Sequence, residues 1–128
     1  MHRSAKKPPR FLNLLQVRYP IGAIVSIGHR VSGLLLIAAL PLLVVGLESS
    51  LRSEADYRQI CDALLAPLAR CAFVLLIWAL VHHVAAGARH LLMDAGVGSR
   101  LPQARVSARF ALVFALLCAL AAAIGSLP

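Results

Sequence analysis

Acid is scarce in this chain: five Asp and Glu stand against thirteen Lys and Arg, a formal net charge of +8. Aromatic residues make up only 5%, with one tryptophan. The three cysteines, Cys61, Cys71 and Cys118, are an odd number with no CxxC spacing and no CxxCH site for covalent haem attachment. They are expected to be packing residues. The poverty in aromatics and in alternating patterns argues against a membrane β-barrel. A secretory leader is not expected either, because the basic start contains Pro8 and Pro9 and the apolar run after it is too long for a leader's core. The start also lacks the Ser-rich amphipathic helix of a mitochondrial transit peptide.

What the chain has is apolar length. Hydrophobic residues make up 60% of 128, with a mean hydropathy of +0.82, more than a soluble domain of this size can bury. Leu, Ala, Val and Ile gather into runs that predict an all-α integral membrane protein with three transmembrane helices, over about residues 20–47, 68–90 and 106–124. The whole chain, 1–128, reads as one domain headed by a basic arm over 1–19, whose patch Phe11, Leu12, Leu14 and Leu15 suits the membrane interface. Pro20 and Pro67 are placed for first helical turns, and Pro41 predicts a kink. Ser53 followed by Asp56 predicts a capped surface helix in the first link, and Arg70 is near enough to the second span's end to snorkel. Gly96, Gly98 and Pro102 break the second span, and Ala115, Ala119, Ala122 and Ala123 give the third a smooth packing face.

The positive charge does not point to nucleic acid, because it gathers at the ends of the spans. Arg3, Lys6, Lys7, Arg10 and Arg18 precede the first span, and Arg89, Arg100, Arg105 and Arg109 surround the second link. Glu48, Glu54, Asp56 and Asp62 lie in the first link beside Arg52 and Arg58. The positive-inside rule therefore places the N-terminus and the second link in the cytoplasm.

Polar side chains inside two spans are the candidates for function, since hydrocarbon penalises each by several kcal/mol unless it has a partner or a wet cavity. At about 100° per residue, His83, Ala86, Gly87, His90 and Asp94 share one helical stripe, with His82 and Arg89 turned elsewhere. Ser26, His29, Arg30 and Gly33 form a second stripe on an antiparallel span, so both stripes reach the cytoplasmic half of the membrane. A neutral imidazole at His83, beside the groove left by Ala86 and Gly87, suits axial ligation of haem iron. His90 lies about 10 Å along the same helix and cannot ligate the same iron, so the second ligand comes from His29 or from a partner subunit. His29, Arg30 and Arg89 are cationic candidates for the propionates. Ser26 and Arg30 can together hydrogen-bond a quinone carbonyl, with the permanently protonated guanidinium stabilising negative charge rather than donating a proton. The plainer alternatives are helix-to-helix hydrogen bonding for His83 and His82, a carbonyl back-bond for Ser26, an interfacial place for His90, and a solvated or paired helix end for Arg89 and Asp94.

Two blocks carry a resemblance. Tyr19-Pro20-Ile21 followed by Ser26-Ile27-Gly28-His29-Arg30-Val31-Ser32-Gly33 resembles the S-I-x-H-R-[IV]-[ST]-G signature of the succinate dehydrogenase cytochrome b556 subunit family. His83 to Leu91, with Asp94 and Gly96, is similar to that family's H-x-x-x-G-x-R-H-[LM]-x-x-D-x-G element. The resemblance implies a three-helix anchor that forms half of a haem-binding bundle with a second small anchor subunit. It further implies docking of an iron-sulfur subunit and a flavoprotein, and electron transfer from the iron-sulfur subunit to ubiquinone. The anchor itself oxidises no succinate. On this resemblance His83 is an axial ligand of haem b, with the other ligand from the partner anchor, and Ser26 and Arg30 line the ubiquinone site. His29 and Arg30 lie near the haem propionates, and His90 is a further candidate there. Gly28 and Ala88 stand where the family carries bulkier apolar residues, and the arm lacks an S-P-H-L element, which favours a bacterial inner-membrane version. The same resemblance leaves the anchor of a fumarate reductase as a close alternative, and from a different class a haem-free scaffold or small transporter subunit, whose polar stripes only bind helices together, fits the composition.

Overall fold

The computed structural model describes residues 18–126, so most of the expected basic arm, with its apolar patch, lies outside the described residues. Four helices follow in order: α1 Ile21–Ser50, α2 Glu54–Leu65, α3 Pro67–Asp94 and α4 Leu101–Gly125. Three of them, α1, α3 and α4, at 30, 28 and 25 residues, are long and apolar enough to cross a membrane. No strand occurs among the described residues.

Local chemistry sets the helix ends. Pro20 precedes α1 in an extended conformation, and its carbonyl accepts from the Ala23 amide at 2.9 Å. The helix runs on through Pro41 to Ser50. Ser53 caps α2 as its spacing predicts: Oγ accepts from the Asp56 amide at 3.1 Å and donates to the Asp56 carboxylate at 2.7 Å. Pro67 opens α3 within its first turn, where a missing N–H costs nothing. The link to α4 turns through Gly96 and Gly98, at φ 81° and 71°, a left-handed backbone that a side chain disfavours.

Helix α4 contains the third span read from the sequence and starts a few residues before it, at Leu101, because Pro102 is accepted in a helix's first turn. Helix α3 is central, packed on α1 along one side and on α4 along another. Its contact with α4 is lined by small residues: Ala108, Ala111, Ala115 and Ala119 are buried at helical spacing. Ala122 and Ala123, also expected on that face, are half-buried. Val25, Ala86 and Ala108 form the contact point of the three long helices. Outside this seam large apolar side chains face outward, Leu34 and Ile37 at 68% exposure and Leu42 at 76%, as a surface meant for lipid or partner helices requires. The chain is a multi-pass membrane protein.

Candidate functional site

The α1–α3 contact gathers the histidines. The rings of His29 and His83 stack with centroids 4.2 Å apart and planes within 14°, and the His90 ring lies 5.5 Å from that of His29. His83 Nδ1 sits 3.1 Å from the His29 main-chain oxygen and 3.3 Å from Ser32 Oγ. Ser32 is buried and spends its one hydroxyl proton on the same His29 oxygen, at 2.9 Å. Since neither oxygen then offers a proton to the ring, Nδ1 must carry one and donate. That tautomer leaves Nε2 with its lone pair. Nε2 has no partner among the described residues and is not sealed from the surface.

Two glycines have a different use from the one their position suggests. A Cβ at Gly87 would come within 3.2 Å of His29 Nε2, and one at Gly33 within 3.0 Å of His83 Cε1. The space that Gly87 leaves is therefore occupied by an imidazole of this chain. It is a seat for His29, not an open groove.

The stripe read from the sequence divides. His83, Gly87 and His90 are half-buried toward α1, whereas Ala86 is fully buried in the three-helix seam and Asp94 is exposed. Ala79, His82, Ala86 and Arg89 form the second, more deeply buried face of α3. His82 thus lies on a face of small residues, contrary to expectation. It is wholly buried, stacked on Trp78 at 5.3 Å, with Nε2 3.4 Å from the Val25 oxygen and Nδ1 without a partner.

Arg89, expected as a candidate for the propionates or as part of a solvated or paired helix end, is 8% exposed. Its Nε donates to Ser107 Oγ and its Nη2 to the Ala104 oxygen, each at 3.1 Å, so it ties α3 to the first turns of α4. Ser26 is half-buried and Arg30 exposed on the α1 flank, and neither side chain has a hydrogen-bond partner among the described residues. The structure therefore brings His29, His83 and His90 together and leaves Ser26 and Arg30 facing outward. Ser32 was not singled out from the sequence, where it reads only as one letter of a motif. Its buried hydroxyl becomes informative once His83 is seen across from it.

The donor set fits a haem iron. A neutral imidazole that donates its far N–H to a main-chain carbonyl, leaving the other nitrogen free, is the arrangement a ligating histidine needs. The described residues hold no cluster of His, Cys, Asp and Glu fit for a bare metal ion. Comparison with known proteins agrees in kind. The chain is 35% identical over 106 residues to the succinate dehydrogenase cytochrome b556 subunit of Coxiella burnetii, covering 82% of this chain and 84% of that one. It is 34% identical over 96 residues to the subunit of the same name from Paracoccus denitrificans, covering 74% of each. A family profile described as the succinate dehydrogenase/fumarate reductase transmembrane subunit matches residues 4–122. The chain belongs to that transmembrane subunit family.

Proposed function

We propose that this protein is the cytochrome b anchor of a succinate dehydrogenase, holding haem b through His83 and forming part of a ubiquinone site with Ser26 and Arg30. The observation that carries the haem reading is the seating of His83, with Nδ1 against the His29 carbonyl and Nε2 without a partner among the described residues. A proton on Nδ1 satisfies the His29 carbonyl at 3.1 Å, and in the neutral ring that leaves the Nε2 lone pair for a metal. A bound b-type haem supplies a one-electron store between the iron-sulfur subunit and the quinone.

The residues of this chain divide the remaining work. His29 stacks on His83 and limits rotation of the ligand ring, while the neighbouring His29 and His90, with Arg30 exposed on α1, are the candidates for the propionates. Ser26 and Arg30 stand one helical turn apart on α1, so a hydroxyl and a guanidinium can hold one quinone carbonyl oxygen from the same side. A fixed cation there favours the more negative, reduced ring. Arg30 stays protonated, so the proton that completes reduction comes from another group.

The charge bias around the spans supports a cytoplasmic N-terminus in a bacterial inner membrane, with the acidic link and α2 outside. The outward-facing apolar surface supports a second anchor subunit that completes the bundle and supplies the second axial ligand. An iron-sulfur subunit and a flavoprotein then sit on the cytoplasmic side. Both named relatives are succinate dehydrogenase subunits, which favours the succinate-to-quinone direction over fumarate reduction. A dithionite-reduced minus oxidised spectrum of the purified complex tests the reading. A b-type α-band that disappears in His83→Leu supports it, and a complex that assembles with full quinone reductase activity and no such band overturns it.

A further inference from the structure

We propose that His82 and His83 form a two-point register clamp, in which His82 is a positioning residue that holds α3 where His83 can meet α1. The two imidazoles are adjacent on α3, and each faces a main-chain oxygen of α1. Nε2 of His82 is 3.4 Å from the Val25 oxygen, and Nδ1 of His83 is 3.1 Å from the His29 oxygen. Val25 and His29 are four residues apart, so the two acceptors are one helical turn apart on the same helix. One bond leaves α3 free to pivot about it. Two bonds a turn apart fix both its rotation and its slide.

Each ring also rides over a glycine. A Cβ at Gly28 would fall 2.6 Å from His82 Nε2, with Cδ2 at 3.3 Å and Cε1 at 3.4 Å, so no side chain fits there while the ring keeps its place. Gly33 plays the same part beneath His83, at 3.0 Å. His82 cannot swing aside, because Trp78 is stacked on it with planes within 11° and the residue has no exposure. Its Nδ1 is buried and unpartnered, which makes an imidazole less favourable here than an apolar ring of the same shape. What His82 contributes is therefore its Nε2–H and its flat edge over Gly28. Through them it acts on the bond that sets the His83 tautomer.

The spectroscopic arm of the test rests on His83 as haem ligand, and the stability arm does not. Gly28→Ala, His82→Ala, the double variant, His82→Leu and His82→Gln are made in the assembled complex, and thermal midpoint and haem midpoint potential are read. The clamp predicts that Gly28→Ala lowers the thermal midpoint and that adding His82→Ala restores part of the loss, a non-additive cycle. It predicts that His82→Leu keeps the haem but shifts its potential, and that His82→Gln, which retains an N–H donor, shifts it less. Additive effects of the Gly28 and His82 changes overturn the proposal. So does a potential that stays fixed in His82→Leu while the thermal midpoint falls, since that is plain packing. If Gly28→Ala prevents assembly, the His82→Leu and His82→Gln comparison decides alone. If the complex holds no haem, the stability cycle still decides the clamp, and the ligand assignment is what has failed.

Discussion

His29 meets His83 twice: ring against ring at 4.2 Å between centroids, and main-chain oxygen to Nδ1 at 3.1 Å. One residue thus fixes both the plane and the proton of the other. Because the oxygen belongs to the backbone of α1, that proton assignment survives replacement of the His29 side chain as long as the helix stays in place.

The ligand assignment is tested by exchange of neighbours. His83→Leu removes Nε2, the ring nitrogen left free by the contacts at Nδ1, and the b-type α-band should be lost. His82→Leu removes the neighbouring imidazole, which lies against Gly28 and the Val25 oxygen, and the band should remain. Difference spectra of both purified complexes give the answer, and loss of the band in His82→Leu alone would move the ligand by one residue.

Ser32 is the second test. Its hydroxyl is buried, donates to the His29 oxygen at 2.9 Å and lies 3.3 Å from His83 Nδ1, so Ser32→Ala loosens the group that orients His83, the proposed ligand. Loss of such an outer partner typically weakens binding by about 10- to 100-fold. The expected outcome is faster transfer of haem from the variant complex to an acceptor globin, with the α-band still present at the start. An unchanged transfer rate would reduce Ser32 to a back-bonding membrane serine.

Much of this was legible in residue order, and the failures have physical causes. Long apolar runs made the three spans visible, and Ser53 with Asp56 announced α2, because both signals are local. Periodicity showed which residues share a direction on α3, but it could not say which neighbour lies in that direction. From the sequence Arg89 is a propionate candidate or a solvated or paired helix end, and His82 a helix-to-helix hydrogen-bonding residue on a face without small neighbours; the structure shows α4 and α1 enclosing that second face and burying both. The glycines were ambiguous for the same reason: a missing Cβ marks space, and only the packed helices show that His29 and His83 fill it. Gly96, Gly98 and Pro102 separate the second and third spans but do not say where the next helix starts: its first turn accepts proline, and α4 begins one residue before Pro102.

Changing Ser26 or Arg30 should separate two activities. Neither side chain bonds within the described residues, so Ser26→Ala or Arg30→Leu removes little from the fold. A lost hydrogen bond to or from a charged group is worth about 1.5–3 kcal/mol, roughly 10- to 100-fold in rate. Succinate-dependent ubiquinone reduction should fall by that factor in Arg30→Leu. Succinate oxidation with a soluble acceptor should persist, and an equal fall in both assays would indicate poor assembly.

The proposed orientation in the membrane rests on charge and is open to direct labelling. Glu54 is exposed at the start of α2, in the acidic link. With the three native cysteines replaced by serine, Glu54→Cys should react with a membrane-impermeant maleimide added to spheroplasts. A cysteine at Arg100, exposed in the basic link, should react only after the membrane is opened. The reverse pattern would invert the topology and place the histidine cluster nearer the outer leaflet.

Arg89 makes the sharpest prediction about stability, because its two hydrogen bonds are the polar tie between α3 and α4. Charge-assisted bonds of this kind contribute about 1.5–3 kcal/mol each, and a guanidinium forms two at once from a rigid fork. Arg89→Met keeps the apolar stem and loses both bonds, so the thermal midpoint of the solubilised complex should fall. Arg89→Lys restores the charge but not the fork: a single ammonium cannot reproduce Nε on Ser107 and Nη2 on Ala104 together, and the midpoint should recover only in part. Ser107→Ala removes one acceptor and should give an intermediate loss, with little added when combined with Arg89→Met. If Arg89→Lys were as stable as the native chain, the charge alone would matter, and the fork drawn between the two helices would not be what holds them.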